Sequence, residues 1–141
     1  AFCMAVCDHP CKAILYLNGS GTGIVADEAH EAMTAPCTSV DELVRRQQLE
    51  RVDIISSDCE GSELFALRGA RETLSRYSPQ IFCEIHHPAL AALGHSALDV
   101  EEYLREAGYH VMPLTIEDPA AMPPIEECSH IHAYRETHNG A

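Results

Sequence analysis

Apolar residues recur along this chain in two rhythms, and the changes of rhythm divide it into strands and helices. Alternation at Phe2, Met4 and Val6 predicts a buried strand over residues 2–7, ended by the turn Asp8-His9-Pro10. Residues 13–17 read as a second short strand. The turn-rich run Asn18-Gly19-Ser20-Gly21-Thr22-Gly23 and then Ile24-Val25 follow it, a pattern that fits a hairpin. Beyond a polar stretch containing Pro36, Ser39-Val40-Asp41-Glu42 has the form of a capping box, in which Ser39 accepts from a free backbone N–H and Glu42 reaches back. Val40, Leu43 and Val44 then recur at helical spacing and predict a short helix to about Gln48.

Residues 52–57 predict the central strand of a sheet, and Ser62 is placed to cap a helix in which Leu64, Leu67, Ala70 and Leu74 line one face. Pro79 separates that helix from residues 81–85, a second buried strand that ends in His86 and His87. Ser96 opens another helix with Val100, Tyr103, Leu104 and Ala107 on its apolar face and Gly108 as its C′ residue. A strand begins at residues 109–114, a Pro-rich segment spans 118–124, and the last strand covers 129–134. The pattern is α/β, a mixed sheet with flanking helices and no internal repeat.

Composition narrows the class. A chain of 141 residues is one domain or part of one, and at this size roughly 68% of the unfolded surface can be buried. Twenty-two acidic against nine basic residues give a net charge of −13, a field that repels phosphate backbones and anionic lipid heads, so neither nucleic acid nor a membrane surface is an expected partner. No apolar run approaches the roughly 18 residues of a membrane helix. Seven cysteines, an odd number, without a secretory signal favour reduced, packed thiols and a cytoplasmic setting. Because the chain starts at once on an apolar alternating segment, it reads as a piece of something longer.

Two strand ends carry candidate chemistry. Asp58 and Glu60 follow the strand at 52–57, and the turn at Gly61 can swing both carboxylates into a cleft, to accept a proton from a hydroxyl or hold a divalent ion. Their structural alternative is to cap the next helix. The end of a neighbouring parallel strand lies about 5 Å away, so Glu84 or His86 can reach the same cleft, His86 as a base near neutral pKa. His86 is preferred to His87 because Glu84 and His86 share a face. Cys3, Cys7, His9 and Cys11 suggest a metal, but on a strand Cys3 and Cys7 stand roughly 13 Å apart, so no metal site is assigned there unless the segment is looped. Cys59 and Cys83 read as packing thiols, His130 and His132 as a solvated strand face, and Asp99, Glu101, Glu102 and Glu106 as the outer face of a helix.

The segment from Val52 to Ala70 resembles the hallmark of the FkbM family of S-adenosylmethionine-dependent methyltransferases, approximately V-D-x-I-K-x-D-x-E-G-x-E-x-x-x-L-x-G-A. Val52, Asp53, Ile55, Asp58, Glu60, Gly61, Glu63, Leu67, Gly69 and Ala70 match, while Ser56 stands where the family usually has Lys. Thr38-Ser39-Val40-Asp41 is similar to the family's threonine-leucine-aspartate helix entry. The resemblance implies a partial Rossmann-like class I methyltransferase fold, with residues 1–141 as the carboxyl-terminal portion of one domain and the first strands of the sheet missing. It implies transfer of methyl from S-adenosylmethionine to an oxygen of a small-molecule acceptor such as a sugar or polyketide. The residues expected to be catalytic are Asp58 and Glu60 of the hallmark with Glu84 and His86 of the neighbouring strand end, and Asp58 and Cys59 are expected towards the cofactor. A divalent metal is possible by analogy with related O-methyltransferases but is not favoured, and a homo-oligomer is possible. The glycines at 19–23 do not fit the cofactor loop, since Leu17 stands where that loop wants an acid and only 28 residues separate Gly23 from Val52. The isolated chain is therefore expected to be inactive. A truncated, non-catalytic binding or dimerising module is the alternative, consistent with Ser56.

Overall fold

The computed structural model describes residues 4–18, 21–23, 32–115 and 122–136. Its strands form two four-stranded sheets. The first contains β1 (Ala5–Val6), β2 (Cys11–Asn18), β3 (Gly21–Gly23) and β4 (Ala32–Thr38) in the order β1-β4-β2-β3. β2 and β3 pair antiparallel with Asn18 opposite Gly21, so the expected hairpin is present and Gly21 and Gly23 serve as strand residues. Phe2, Cys3, Gly19, Ser20, Ile24 and Val25 lie outside the described residues.

Two readings of this region change. The buried strand at 2–7 is, among the described residues, only Ala5–Val6, with Val6 exposed. The polar stretch around Pro36 is the strand β4, antiparallel to β2 from Ala32 to Cys37 and parallel to β1. Among the described residues its pairing with β1 covers Cys37 and Thr38, which leaves Pro36 without a paired residue on that side, where a missing N–H costs least.

The second sheet holds β5 (Ile54–Ser57), β6 (Gln80–Glu84), β7 (His110–Leu114) and β8 (His130–Tyr134) in the order β5-β6-β8-β7. β5 and β6 are parallel, and β8 runs antiparallel to both of its neighbours, so the sheet is mixed. β5, read from sequence as central, is an edge strand among the described residues. Ile81, Cys83, Val111, Ile131 and Ala133 point to one face, where they form the core with Leu64, Leu67, Leu74, Leu90, Val100 and Leu104 of the helices. The other face carries Ile54 at 60% exposure and Phe82 at 37%, the latter stacked on His132. The strand at 81–85 is thus buried on alternate residues rather than throughout.

The helices are α1 (Val40–Arg46), α2 (Glu63–Arg68), α3 (Arg71–Tyr77), α4 (His87–Ala92) and α5 (Ala97–Glu106). Ser39 caps α1 by accepting from Glu42 N, but the Glu42 carboxylate pairs with Arg45 and Arg46 instead of reaching back, so only half the box forms. A complete box forms at α5, between Ser96 and Asp99. The single helix expected after Ser62 is two helices. They break at Gly69, where the chain of Cys7 comes so close that a Cβ on Gly69 would lie 2.2 Å from the Cys7 carbonyl oxygen. Asp41 then restarts the helix from 31 residues away, its carboxylate accepting from Glu72 N at 2.9 Å and Thr73 N at 2.8 Å. Ser62 does not cap α2 with its side chain, because its hydroxyl donates to the Cys59 carbonyl. α4 was not legible as a helix; Pro88 sits in its first turn, where no N–H is needed.

Gly69→Ala should therefore destabilise the chain by about 1–3 kcal/mol, the usual range for forcing extra volume into a packed contact. Thermal denaturation of the two chains compares them directly. An unchanged midpoint would show that the first sheet is not seated on α2.

Candidate functional site at two strand ends

Parallel strands β5 and β6 end side by side, and open α/β sheets present their chemistry at such carboxyl ends. After β5 the chain turns through Glu60 at φ +47° and Gly61 at φ +98°. A left-handed non-glycine residue costs about 1–2 kcal/mol, and here it turns the Glu60 side chain back over the strand end. Gly61 also packs against α4, and a Cβ there would lie 2.5 Å from that of Ala89.

This turn and the end of β6 bring the expected residues together around His86. Its Nε2 lies 3.6 Å from Asp58 Oδ1, 3.5 Å from Glu60 Oε2 and 3.7 Å from Glu84 Oε1. Its Nδ1 lies 2.7 Å from Glu63 Oε1. His130, opposite Glu84 across the β6–β8 pair, adds a second imidazole 3.6 Å from Glu84 Oε2. Asp58 and Glu60 stay open to solvent at 66% and 42% side-chain exposure.

Glu63 is the residue that sequence reasoning passed over as a site member. Its side chain is fully buried, Oε1 accepts from Gly61 N at 3.0 Å as well as bonding His86, and Oε2 has no hydrogen-bond partner. A signal was available: Glu63 occupies the same helical stripe as Ala66, Leu67, Ala70 and Leu74, and an acid on an apolar stripe is an anomaly that calls for a partner.

Partial burial works against a charge on His86, but the hydrogen bond and charge of Glu63, with Glu60 and Glu84 behind it, raise its pKa above the ordinary 6.5. Sequence alone suggested a base near neutrality. The surroundings instead favour the protonated form of His86 over that of a free imidazole.

The remaining candidates fall away from this cluster. Cys59 turns its thiol to Ser57 Oγ at 3.2 Å, and burial raises its pKa, as it raises that of Cys83 to about 12. His87 bonds the Cys128 carbonyl at 2.7 Å. Ser56 is exposed on β5. Asp58, Glu60 and His86 can each offer one ligand atom, all within 4.8 Å of one another, so the set also fits a divalent cation.

Residues 11–111 match the family model of the methyltransferase FkbM domain. The chain belongs to the FkbM methyltransferase family. Among solved structures, the crystal structure of a methyltransferase FkbM from Methylobacillus flagellatus KT aligns with 93% of this chain at a TM-score of 0.55 and 16% identity. At that identity the likeness shows a shared fold, and this FkbM chain spans 27% of the length of that one. None of the curated proteins matches the chain. Among the described residues of this FkbM domain no helix is long and apolar enough to cross a membrane.

The buried pair gives this FkbM domain a pH signature. A pKa raised on folding means that the folded chain binds the proton more tightly. The stabilisation is complete below pH 6.5 and disappears as the pH rises through the folded-state value. The stability gap between the parent and His86→Gln, measured by denaturant titration, should be widest below pH 6.5 and narrow above it. Glu63→Gln should move the His86 imidazole titration, followed by NMR, downwards. A His86 titration unmoved by that change would show that Glu63 does not set its charge.

Proposed function

We propose that this chain supplies the acceptor side of an S-adenosylmethionine-dependent methyltransferase site that methylates an oxygen of a small molecule, such as a sugar or polyketide hydroxyl. The observation that carries the reading is the convergence of Asp58, Glu60 and Glu84 on one imidazole nitrogen at the adjoining ends of β5 and β6. A hydroxyl is a poor nucleophile until its proton is taken, and an exposed carboxylate beside it can take that proton as the new C–O bond forms. His86, whose surroundings favour its protonated form, then offsets the mutual repulsion of the three carboxylates. S-adenosylmethionine supplies the electrophilic methyl group when bound, and alignment of the acceptor with it contributes much of the rate. If a divalent cation takes the place of the His86 proton, Asp58, Glu60 and His86 Nε2 would hold it, and Glu63 would orient the imidazole from behind.

The reading gives residues 1–141 the acceptor side alone. The glycines at 21 and 23 are strand residues of a hairpin, which supports leaving them out of the cofactor's contacts. Calorimetry should accordingly find only weak binding of S-adenosylmethionine to this chain, and micromolar affinity would sink that part of the reading.

In a domain that transfers methyl to a hydroxyl acceptor, Asp58→Asn and Glu60→Gln should each lower turnover about 100-fold or more, the usual reach of a positioned proton acceptor. Turnover equal to the parent's in both variants would remove the carboxylates from the chemistry. It would then favour the second reading, a non-catalytic binding or dimerising module, to which the exposed Ser56 in place of the family's Lys already points.

A further inference from the structure

We propose that the turn bearing Cys7, Asp8, His9 and Cys11 is a binding site for one thiophilic divalent cation of the zinc type, separate from the His86 cluster. Spacing on a strand speaks against chelation in this segment, but the strand stops at Val6. Residues 8–10 bend, and the chain returns as β2 from Cys11. The bend gathers the donors. Cys7 Sγ lies 3.3 Å from Asp8 Oδ1, and His9 Nδ1 lies 2.5 Å from the same oxygen. One atom from each of the three falls within 4.8 Å of the others. Cys11 stands opposite Cys37 in the β2–β4 pair, and its thiol neighbours those of Cys37 and Cys7.

Donors at about 2.0–2.3 Å from a tetrahedral zinc stand roughly 3.5 Å apart, close to the spacing already present among Cys7, Asp8 and His9, and Cys11 is the neighbouring thiol that would complete the set. Sulfur with imidazole nitrogen selects zinc-like ions over magnesium or calcium. Binding exchanges thiol protons for the cation. His9 and Asp8 are open to solvent at 68% and 35% side-chain exposure, so an ion can reach the turn directly. The place is also distinct: the Cys7 carbonyl packs on Gly69 at the far end of α2, whereas Glu63 and His86 meet at its start. An ion there would clamp the first sheet where it touches the helical body.

Cobalt(II) titrated into the full, reduced chain tests this, because a sulfur-to-cobalt charge-transfer band requires thiolate ligands that the His86 cluster lacks. One equivalent of cobalt should develop the band, and zinc should abolish it. Cys7→Ser and Cys11→Ser should each cut it by about half or more, since each removes one thiolate ligand. His9→Asn, a change at an exposed ring that leaves the fold untouched, should weaken binding, while Asp58→Asn should keep the band in full. No charge-transfer band in the parent, or a band at full strength in either Cys7→Ser or Cys11→Ser, would overturn the proposal. So would thiol counting that finds Cys11 and Cys37 joined as a disulfide in chain purified without added oxidant.

Discussion

The Glu63 carboxylate has no exposed surface, and the site is built around the problem of keeping it there. An ionised carboxylate taken out of water is costly unless an opposite charge and hydrogen bonds accompany it. Here the compensation comes from His86 and the Gly61 amide. One carboxylate therefore ties together the turn after β5, the first residue of α2 and the end of β6. It also fixes which nitrogen of His86 faces outwards, because Nδ1 is engaged and Nε2 alone is left among Asp58, Glu60 and Glu84. The position at the start of α2 helps further, since negative charge is favoured at a helix N-terminus.

Around that pair, the family hallmark is as much a packing rule as a chemical one. Gly61 lets the turn press against Ala89 of α4, and Gly69 lets the first sheet press against the end of α2. Leu64, Leu67 and Ala70 are core residues with almost no exposure. Asp41 belongs to the same mechanical frame, because it holds the start of α3 and its own amide donates to the Gly69 carbonyl. The hallmark's acids Asp58 and Glu60 are left outside the frame, exposed and available. Residues that match one motif thus divide into those that hold the strand end still and those that stand exposed beside it.

What sequence made legible follows from what is local. The rise of apolar positions at 52–57 and 81–85, the caps at Ser39 and Ser96, and the hairpin after residue 17 are all encoded within a few residues, and all are found. The convergence of Asp58, Glu60, Glu84 and His86 was legible because parallel strands with short ends leave few places for their tips to go. β4 was not, because its stability comes from pairing with β2 some 20 residues away and not from its own Pro-containing sequence, which lacks a strand's alternation. Nor was the break between α2 and α3, which is imposed by the approach of Cys7 to Gly69 across the fold. Glu63 stood out in the sequence as an acid on an apolar stripe, but its partner did not. Its role depends on burial, and burial is set by the sheet and helices that close over it.

The charge at the site then bears on Ser56. The family's usual lysine would place a permanent cation on β5 beside Asp58, since a lysine keeps its charge far above neutral pH. Ser56 supplies none, in a chain whose net charge is already −13. His86 can do the same electrostatic work, standing within 3.7 Å of three carboxylates and hydrogen-bonded to a fourth. An imidazolium differs from an ammonium in one respect that matters: it can lose its proton within an accessible pH range. With lysine, the repulsion among the clustered acids would be offset at any physiological pH. With serine, the offset is conditional on the His86 proton, which makes the buried Glu63 the residue that keeps the exposed carboxylates in register.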